Sequence, residues 1–494
     1  MSEHVPVKAA IDAERSQLDR SFAGGIAWSG LARLLSQTIT WLVTLAVARL
    51  LVPSDYGVVA SATIYLGLVR VVTEFGLGTA IVAQRSLTDR QISQLGGLAF
   101  LLGIGAWILT VVLANPIALL LRVPALSAVL PVLGFATAVS TLNALPTAIL
   151  QRNLEYRALS QLELLRALVA SGTLLLFAQL EFGYWALVLN EVAAVAAYAI
   201  ALYLRTRYRL ARPRLADVRS SLRLSGEIVV ARLAWFAYSN ADVGIVSRKF
   251  GTAILGDYSM AWTLTSIPSE KIGGVIMSVT PGILARVQHD KAELGRYFLM
   301  LVEGLSLLLL PATVGIALTA ELLIPLLLGE KWRGAIPLVQ ILGVLLALRS
   351  ITPVCGQVLV ARLRSDLAMK YNITAAIVMP VSFLVGSFWG VTGVALAWLT
   401  VSPPLSIAIF VITCREISLP ISKLIAVVAR PLAAVLVMAF AVLAVRSSLV
   451  SSALPASFQL AALVFTGAIT YSGILAVTMR HRVVRVWKLI RKQQ

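Results

Sequence analysis

The chain has 494 residues, of which 59% are hydrophobic and 13% charged, and its mean hydropathy is +0.88. A soluble protein carries about a quarter charged residues, so this composition excludes an ordinary soluble domain and points to a polytopic membrane protein. The net charge of +19 does not mark a nucleic-acid binder, because the Lys and Arg residues sit mostly in short loops between apolar segments, where such charge sets membrane orientation.

Residues 1–21 are polar and mixed in charge, and the apolar segment that follows is too long for a signal-peptide core, so no cleavable signal is expected. About 20 apolar residues span the hydrocarbon core. On that criterion the chain is predicted to cross the membrane about fourteen times, at 25–50, 57–79, 92–114, 126–150, 158–179, 184–204, 223–247, 255–283, 297–319, 336–361, 367–388, 390–413, 424–446 and 457–479. Between the sixth and seventh segments runs RTRYRLARPRLADVRSSLR, Arg205 to Arg223, with seven arginines and one acid, Asp217. Each Arg at a bilayer centre costs about 2.5–3.5 kcal/mol on insertion scales, so this run lies in water, and the positive-inside rule places it in the cytoplasm. With basic residues near a span end assigned to the adjoining loop, 29 of the 42 Lys and Arg fall on the side of this run and 7 on the other. Both termini are therefore expected in the cytoplasm.

The two parts flanking the basic run repeat. Ala32-Arg33-Leu34 recurs as Ala231-Arg232-Leu233 and Arg49 as Arg248, both 199 residues on. Asp55-Tyr56 recurs as Asp257-Tyr258, and Leu133-Gly134 as Leu342-Gly343, with the offset growing only to 209. The expected fold is all-α: two pseudo-symmetric six-helix lobes (1–204 and 223–415), a basic linker (205–222), and two additional helices with a basic tail (416–494).

Charges within spans are expensive and face a cavity or a partner. Arg33, Ser36, Gln37, Thr40 and Thr44 form one polar face of the first span, and Arg232, Trp235, Phe236 and Ser239 form the corresponding face of the seventh, with Asp242 three residues on and Tyr238 at its edge. Ser259, Thr263, Ser266 and Glu270 align on the eighth span beside Lys271. Arg33 and Arg232 are shallow enough to snorkel, whereas Lys271 and Arg349 lie near the midplane, where a cavity-lining role is expected. Arg70 and Glu74 are spaced i, i+4 and can neutralise each other, and Glu163 and Arg166 read as a local pair near a span end. Pro268 and Gly273-Gly274 flank Glu270-Lys271, so the eighth span is expected to be discontinuous there, as helices at transport sites are.

Enzyme motifs are missing: no phosphate-binding Gly-rich loop, no nucleophile elbow and no paired carboxylates in a loop. His4, His289 and His481 are too scattered for a metal site, Cys355 and Cys414 give no disulfide framework, and no cofactor is expected.

VPSDYG (Val52–Gly57), EFGLGTAIVAQ (Glu74–Gln84), QRNLEYR (Gln151–Arg157), GYWALV (Gly183–Val188), ARVQHD (Ala285–Asp290) and LLLGEKW (Leu326–Trp332) together resemble the polysaccharide-transporter branch of the MOP exporter superfamily, the Wzx-type flippases. The likeness runs from about residue 20 to 415. It implies alternating access and an undecaprenyl-pyrophosphate-linked oligosaccharide substrate, moved across a bacterial inner membrane for exopolysaccharide, capsule or O-antigen export. The polysaccharide polymerase and the chain-length and export machinery are then candidate partners, beside membrane lipid. Arg33 and Arg70 resemble, in placement only, the cavity arginines of lipid II flippases. On this reading Arg33, Arg70, Arg232, Lys271 and Arg349 hold the pyrophosphate, Trp235, Phe236 and Tyr238 offer flat faces to sugars, and Glu74, Asp242 and Glu270 are the candidates for ion coupling. Two other readings stay open. A multidrug/cation antiporter of the same superfamily predicts a cavity dominated by acids, and a membrane glycosyltransferase or polymerase predicts a large periplasmic loop.

Cysteines placed at Ser54, Lys331 and Ser451 should react with an impermeant thiol reagent added outside intact cells, and one at Arg212 should not. Labelling at Arg212 from the periplasm reverses the orientation.

Overall fold

The computed structural model describes residues 36–73, 88–153, 155–208, 210–212, 215–449 and 454–478. Every regular element among them is helical: α1 (36–50), α2 (Pro53–Thr73), α3 (Asp89–Leu121), α4 (Leu126–Arg152), α5 (Tyr156–Gln179), α6 (Tyr184–Thr206), α7 (Leu215–Pro268), α8 (Gly274–Arg286), α9 (Lys291–Leu328), α10 (Ala335–Arg349), α11 (Pro353–Ala361), α12 (Ser365–Gly386), α13 (Gly390–Glu416), α14 (Ile421–Leu449) and α15 (Ala456–Thr478), with short 3₁₀ and π turns between some of them. Among the described residues, nine segments are long and apolar enough to cross a membrane. The protein is thus an all-helical, multi-pass membrane protein. The chain divides into two compact units, residues 1–233 and 234–494, with the boundary inside α7. α6 continues to Thr206 and α7 begins at Leu215, so both ends of the basic run are helical.

In the first unit, Leu126, Val129 and Leu130 of α4 are buried against Val58 and Ala62 of α2 and Val188 of α6. In the second, α9 buries Phe298, Leu305 and Leu309 against Val354, Val358 and Leu359 of α11 and Ile409 of α13. The final pair, α14 and α15, docks on α9 through Val435, Met438, Val442, Leu463 and Tyr471. The Leu-Gly repeat marks an equivalent close approach inside each unit. Gly134 of α4 lies against Thr110 of α3, and Gly343 of α10 lies against Thr313 and Ala317 of α9. A side chain at either glycine has no room.

Three features reflect the cost of an unpaired backbone group in lipid. Pro311, inside α9, lacks the N–H that would bond the Leu307 carbonyl four residues back, and the Tyr471 hydroxyl donates to that carbonyl at 2.8 Å. Pro268 is followed by a π turn over Ser269–Gly273, closed by Gly274 N–H to Ser269 O. The eighth span therefore widens immediately after the proline, at the residues where discontinuity was expected. Gly251, at φ 82 and ψ 178, divides α7 into two legs. Asp242 and Tyr258, on different legs, meet at 2.6 Å. In a straight helix their 16-residue separation would span about 24 Å, so the legs fold back on each other.

The α12–α13 hairpin crosses so closely that a Cβ on Gly386 or Gly393 would run into the other residue's carbonyl oxygen. Gly393→Ala should destabilise the protein by about 1–3 kcal/mol through overpacking. Gly473→Ala, at a helical position with open space around it, should be neutral or stabilising by up to about 1 kcal/mol. Thermal unfolding of the purified variants in detergent measures both.

Candidate functional site

The second unit carries a buried polar cluster built on α7, α10, α12 and α13. Asp242 is 1% exposed. A carboxylate in that position is tolerated only if its lone pairs are filled, and here three donors fill them. The Tyr258 hydroxyl donates at 2.6 Å, the Trp398 indole N–H at 2.7 Å and the Val243 amide at 2.8 Å. Trp398, itself fully buried, is gripped on its faces as well. Phe383 of α12 lies 4.9 Å from it and Trp262 of α7 5.6 Å, centroid to centroid. On the same ring rests the Arg349 guanidinium, 4.5 Å from the centroid, at the end of α10, where the chain breaks before Pro353. Arg349 is also within electrostatic reach of Asp242, and Tyr371 of α12 lies within reach of Tyr238 and Arg349. A cation–π contact in a desolvated place contributes about 2 kcal/mol, and the indole fixes the plane in which the guanidinium can present its donors.

The other predicted residues of this unit are placed as follows. Trp235 has a half-exposed ring and Phe236 is half-buried beside it, while Tyr238 is buried. Glu270 is exposed on the π turn, where its carboxylate accepts a hydrogen bond from Ser266 at 2.9 Å, and Lys271 follows it, half-buried. The hydroxyls of Ser259 and Thr263 donate to carbonyls four residues back on their own helix. Arg232 lies on α7, and its side chain is outside the described residues.

In the first unit Arg70 pairs with Glu191 of α6 at 3.2 Å. Arg33 and Glu74 lie outside the described residues. Ser36 and Gln37 of α1 line a cavity of about 560 Å³ together with Ser160, Glu163 and Arg166 of α5 and Glu191 of α6. Farther along α1 the Thr40 and Thr44 hydroxyls are taken up by carbonyls one turn back. Glu163 and Arg166 therefore face a cavity shared by three helices, and the Arg166 guanidinium lies 6.0 Å from the Tyr198 ring centroid.

Trp398 and Tyr258 were not singled out as site residues by the sequence. An aromatic residue in an apolar helix carries no polar signal, and Trp398 is 156 residues from the carboxylate it serves. Glu191 was missed in the same way, since its partner is 121 residues distant.

The family model described as "Polysaccharide biosynthesis protein" matches residues 46–337. The lipopolysaccharide biosynthesis protein WzxC of Escherichia coli (strain K12) is 24% identical over 388 residues, 76% of this chain and 77% of its own. The succinoglycan biosynthesis transport protein ExoT of Rhizobium meliloti (strain 1021) is 22% identical over 481 residues, 95% of each chain. Among solved structures, the lipid II flippase MurJ in an inward closed conformation superposes with a TM-score of 0.71 over 92% of this chain and 99% of its own, at 12% identity. That likeness is one of fold.

Trp398→Phe keeps a ring beneath Arg349 and removes the donor to Asp242. Losing a buried hydrogen bond to a charged acceptor should cost about 1.5–3 kcal/mol. Chemical or thermal unfolding of the purified variant checks it, and Tyr258→Phe should show a loss of the same order.

Proposed function

This chain belongs to the polysaccharide biosynthesis protein family, and from that premise we propose that it is a flippase for a lipid-pyrophosphate-linked oligosaccharide, moving the repeat unit from the cytoplasmic to the periplasmic face of a bacterial inner membrane by alternating access. One observation carries the reading: a cation, Arg349, lies within a membrane-embedded helical unit over the indole of Trp398, whose N–H is held by Asp242. An anion leaving water needs compensating charge and donors. Arg349 offers a planar fork suited to phosphate oxygens, and Lys271, on the π turn of the same unit, offers a second positive charge. Arg70 and the arginines at 33 and 232 are assigned the same task, with Arg70 released from Glu191 when substrate arrives. The half-exposed ring of Trp235, with Phe236 beside it, offers flat faces on which sugar rings stack. Two negative charges moving outward down a potential of 100 mV, inside negative, gain about 4–5 kcal/mol, so the membrane potential favours export. The relatives named for lipopolysaccharide biosynthesis and succinoglycan transport support the substrate class. Glu270, exposed on the π turn, and Glu74 are the acids assigned to ion coupling. Asp242, with three donors filling its carboxylate, is assigned the holding of Trp398 and Arg349.

Arg349→Ala combined with Lys271→Ala should lower polysaccharide export at least tenfold in a strain lacking the native gene, with the protein present in the membrane at normal amounts. Lys271→Arg should retain part of the activity, because charge matters more than fork geometry where several cations share one pyrophosphate. Surface polysaccharide, normalised to protein by immunoblot, reads the result. Full export by the double variant overturns the assignment of these cations.

A further inference from the structure

Where the end of α3 meets the start of α4 lies a cavity of about 490 Å³. Arg122, Asn115 and Ser127 form its polar wall, and Ala118 and Leu119 its apolar one. No acid lines it, and none of the ion pairs among the described residues involves Arg122. Arg122 stands there against two preferences. It closes α3 at φ 58 and ψ 36, with the Val123 amide bonded back to the Ala118 carbonyl. Glycine ordinarily fills that left-handed position at a helix end, because a Cβ crowds the following carbonyl. The charge count also assigns Arg122 to the face opposite the basic run, which holds only 7 of the 42 Lys and Arg and where cations are disfavoured. A cation does suit the carbonyl end of a helix. The last turn of α3 holds none, however, and there a helical residue would serve without a left-handed backbone. Beyond the polar wall the surface turns apolar. Leu119, Val112 and Ile108 stand three, ten and fourteen residues before Arg122, on one face of α3, and all are exposed.

We propose that this cavity binds the headgroup of an anionic phospholipid, with its phosphodiester on Arg122, its headgroup hydroxyls on Asn115 and Ser127, and an acyl chain along Leu119, Val112 and Ile108. One guanidinium balances the single charge of a phosphodiester, and its planar fork suits two phosphate oxygens at once. The Ser127 hydroxyl already donates to the Pro124 carbonyl at 2.8 Å, so its oxygen is left to accept from a headgroup hydroxyl. The apolar stripe distinguishes a lipid from a soluble phosphate, which has nothing to place there.

Native mass spectrometry of the purified full chain tests this with phosphatidylglycerol, phosphatidylethanolamine and inorganic phosphate in separate arms, reading the first lipid bound. Phosphatidylglycerol should be retained at least tenfold better than phosphatidylethanolamine, and millimolar phosphate should not displace it. Arg122→Gln should cut that retention at least tenfold. Arg122→Gly should do the same, and because glycine adopts the left-handed backbone freely it keeps the fold, so the loss is read on a folded protein. Arg122→Lys, which keeps the charge, should keep most of the retention, and so should Arg248→Gln, which removes an exposed cation of α7. Undiminished retention in the glutamine or the glycine variant overturns the proposal. So does equal retention of the zwitterionic lipid, or a loss in the Arg122→Lys or Arg248→Gln variant as large as in Arg122→Gln. Displacement by phosphate overturns the lipid as the ligand and leaves a free-anion site.

Discussion

Hydrocarbon offers no hydrogen bonds, and that constraint governs most of this molecule. Each backbone group and each charge inside the membrane must find a partner within the protein. The helical form follows from it, as does the habit of the threonines. Thr40, Thr44, Thr137, Thr265 and Thr313 all return their hydroxyls to carbonyls one turn back on their own helices. At prolines the constraint is met in two ways. Beyond Pro268 the helix widens into a π turn, and at Pro311 a tyrosine from another helix supplies the missing donor.

The same constraint turns a cation within a membrane helix into an architectural problem. A guanidinium in a membrane helix needs a counter-surface, but one that does not consume all its donors. A carboxylate in direct contact would occupy those donors. An indole face attracts the cation through its quadrupole and leaves the in-plane N–H groups available. Trp398 supplies that face to Arg349, and Asp242 acts one step behind it, accepting the indole N–H and setting the ring's orientation. The Arg70–Glu191 pair is the contrasting solution. There an acid meets the cation directly, and both partners keep part of their surface exposed.

Much of the fold was legible in the sequence because it depends on local properties. Apolar runs of membrane length located the helices, and composition alone fixed the protein as a multi-pass membrane protein. Pro268 with its flanking glycines marked the one π turn described here. The single span expected at 336–361 is one membrane-length segment, Ala335–Ala361, although its α-helical pattern is interrupted between Arg349 and Pro353. The candidate site was legible only for its charges. Asp242, Arg349 and Lys271 stand out in apolar sequence, but nothing in their spacing names their partners. Arg70 pairs with Glu191, a partner that its spacing from Glu74, outside the described residues, gave no hint of. Glu163 and Arg166 looked like a local pair at a span end, and a cavity faces them. Contacts between helices distant in sequence are set by packing, which periodicity along one helix does not record.

The bond between Tyr471 and the Leu307 carbonyl has a consequence for how the chain is made. Its two ends are 164 residues apart, and a ribosome adds about 5–20 residues per second. The helix that holds Leu307 therefore enters the bilayer roughly 8–30 s before its tyrosine does. Throughout that interval the carbonyl beside Pro311 must borrow a donor from a lipid headgroup, a trapped water or the insertion machinery. The long α9 helix can settle into its final position only when α15 arrives.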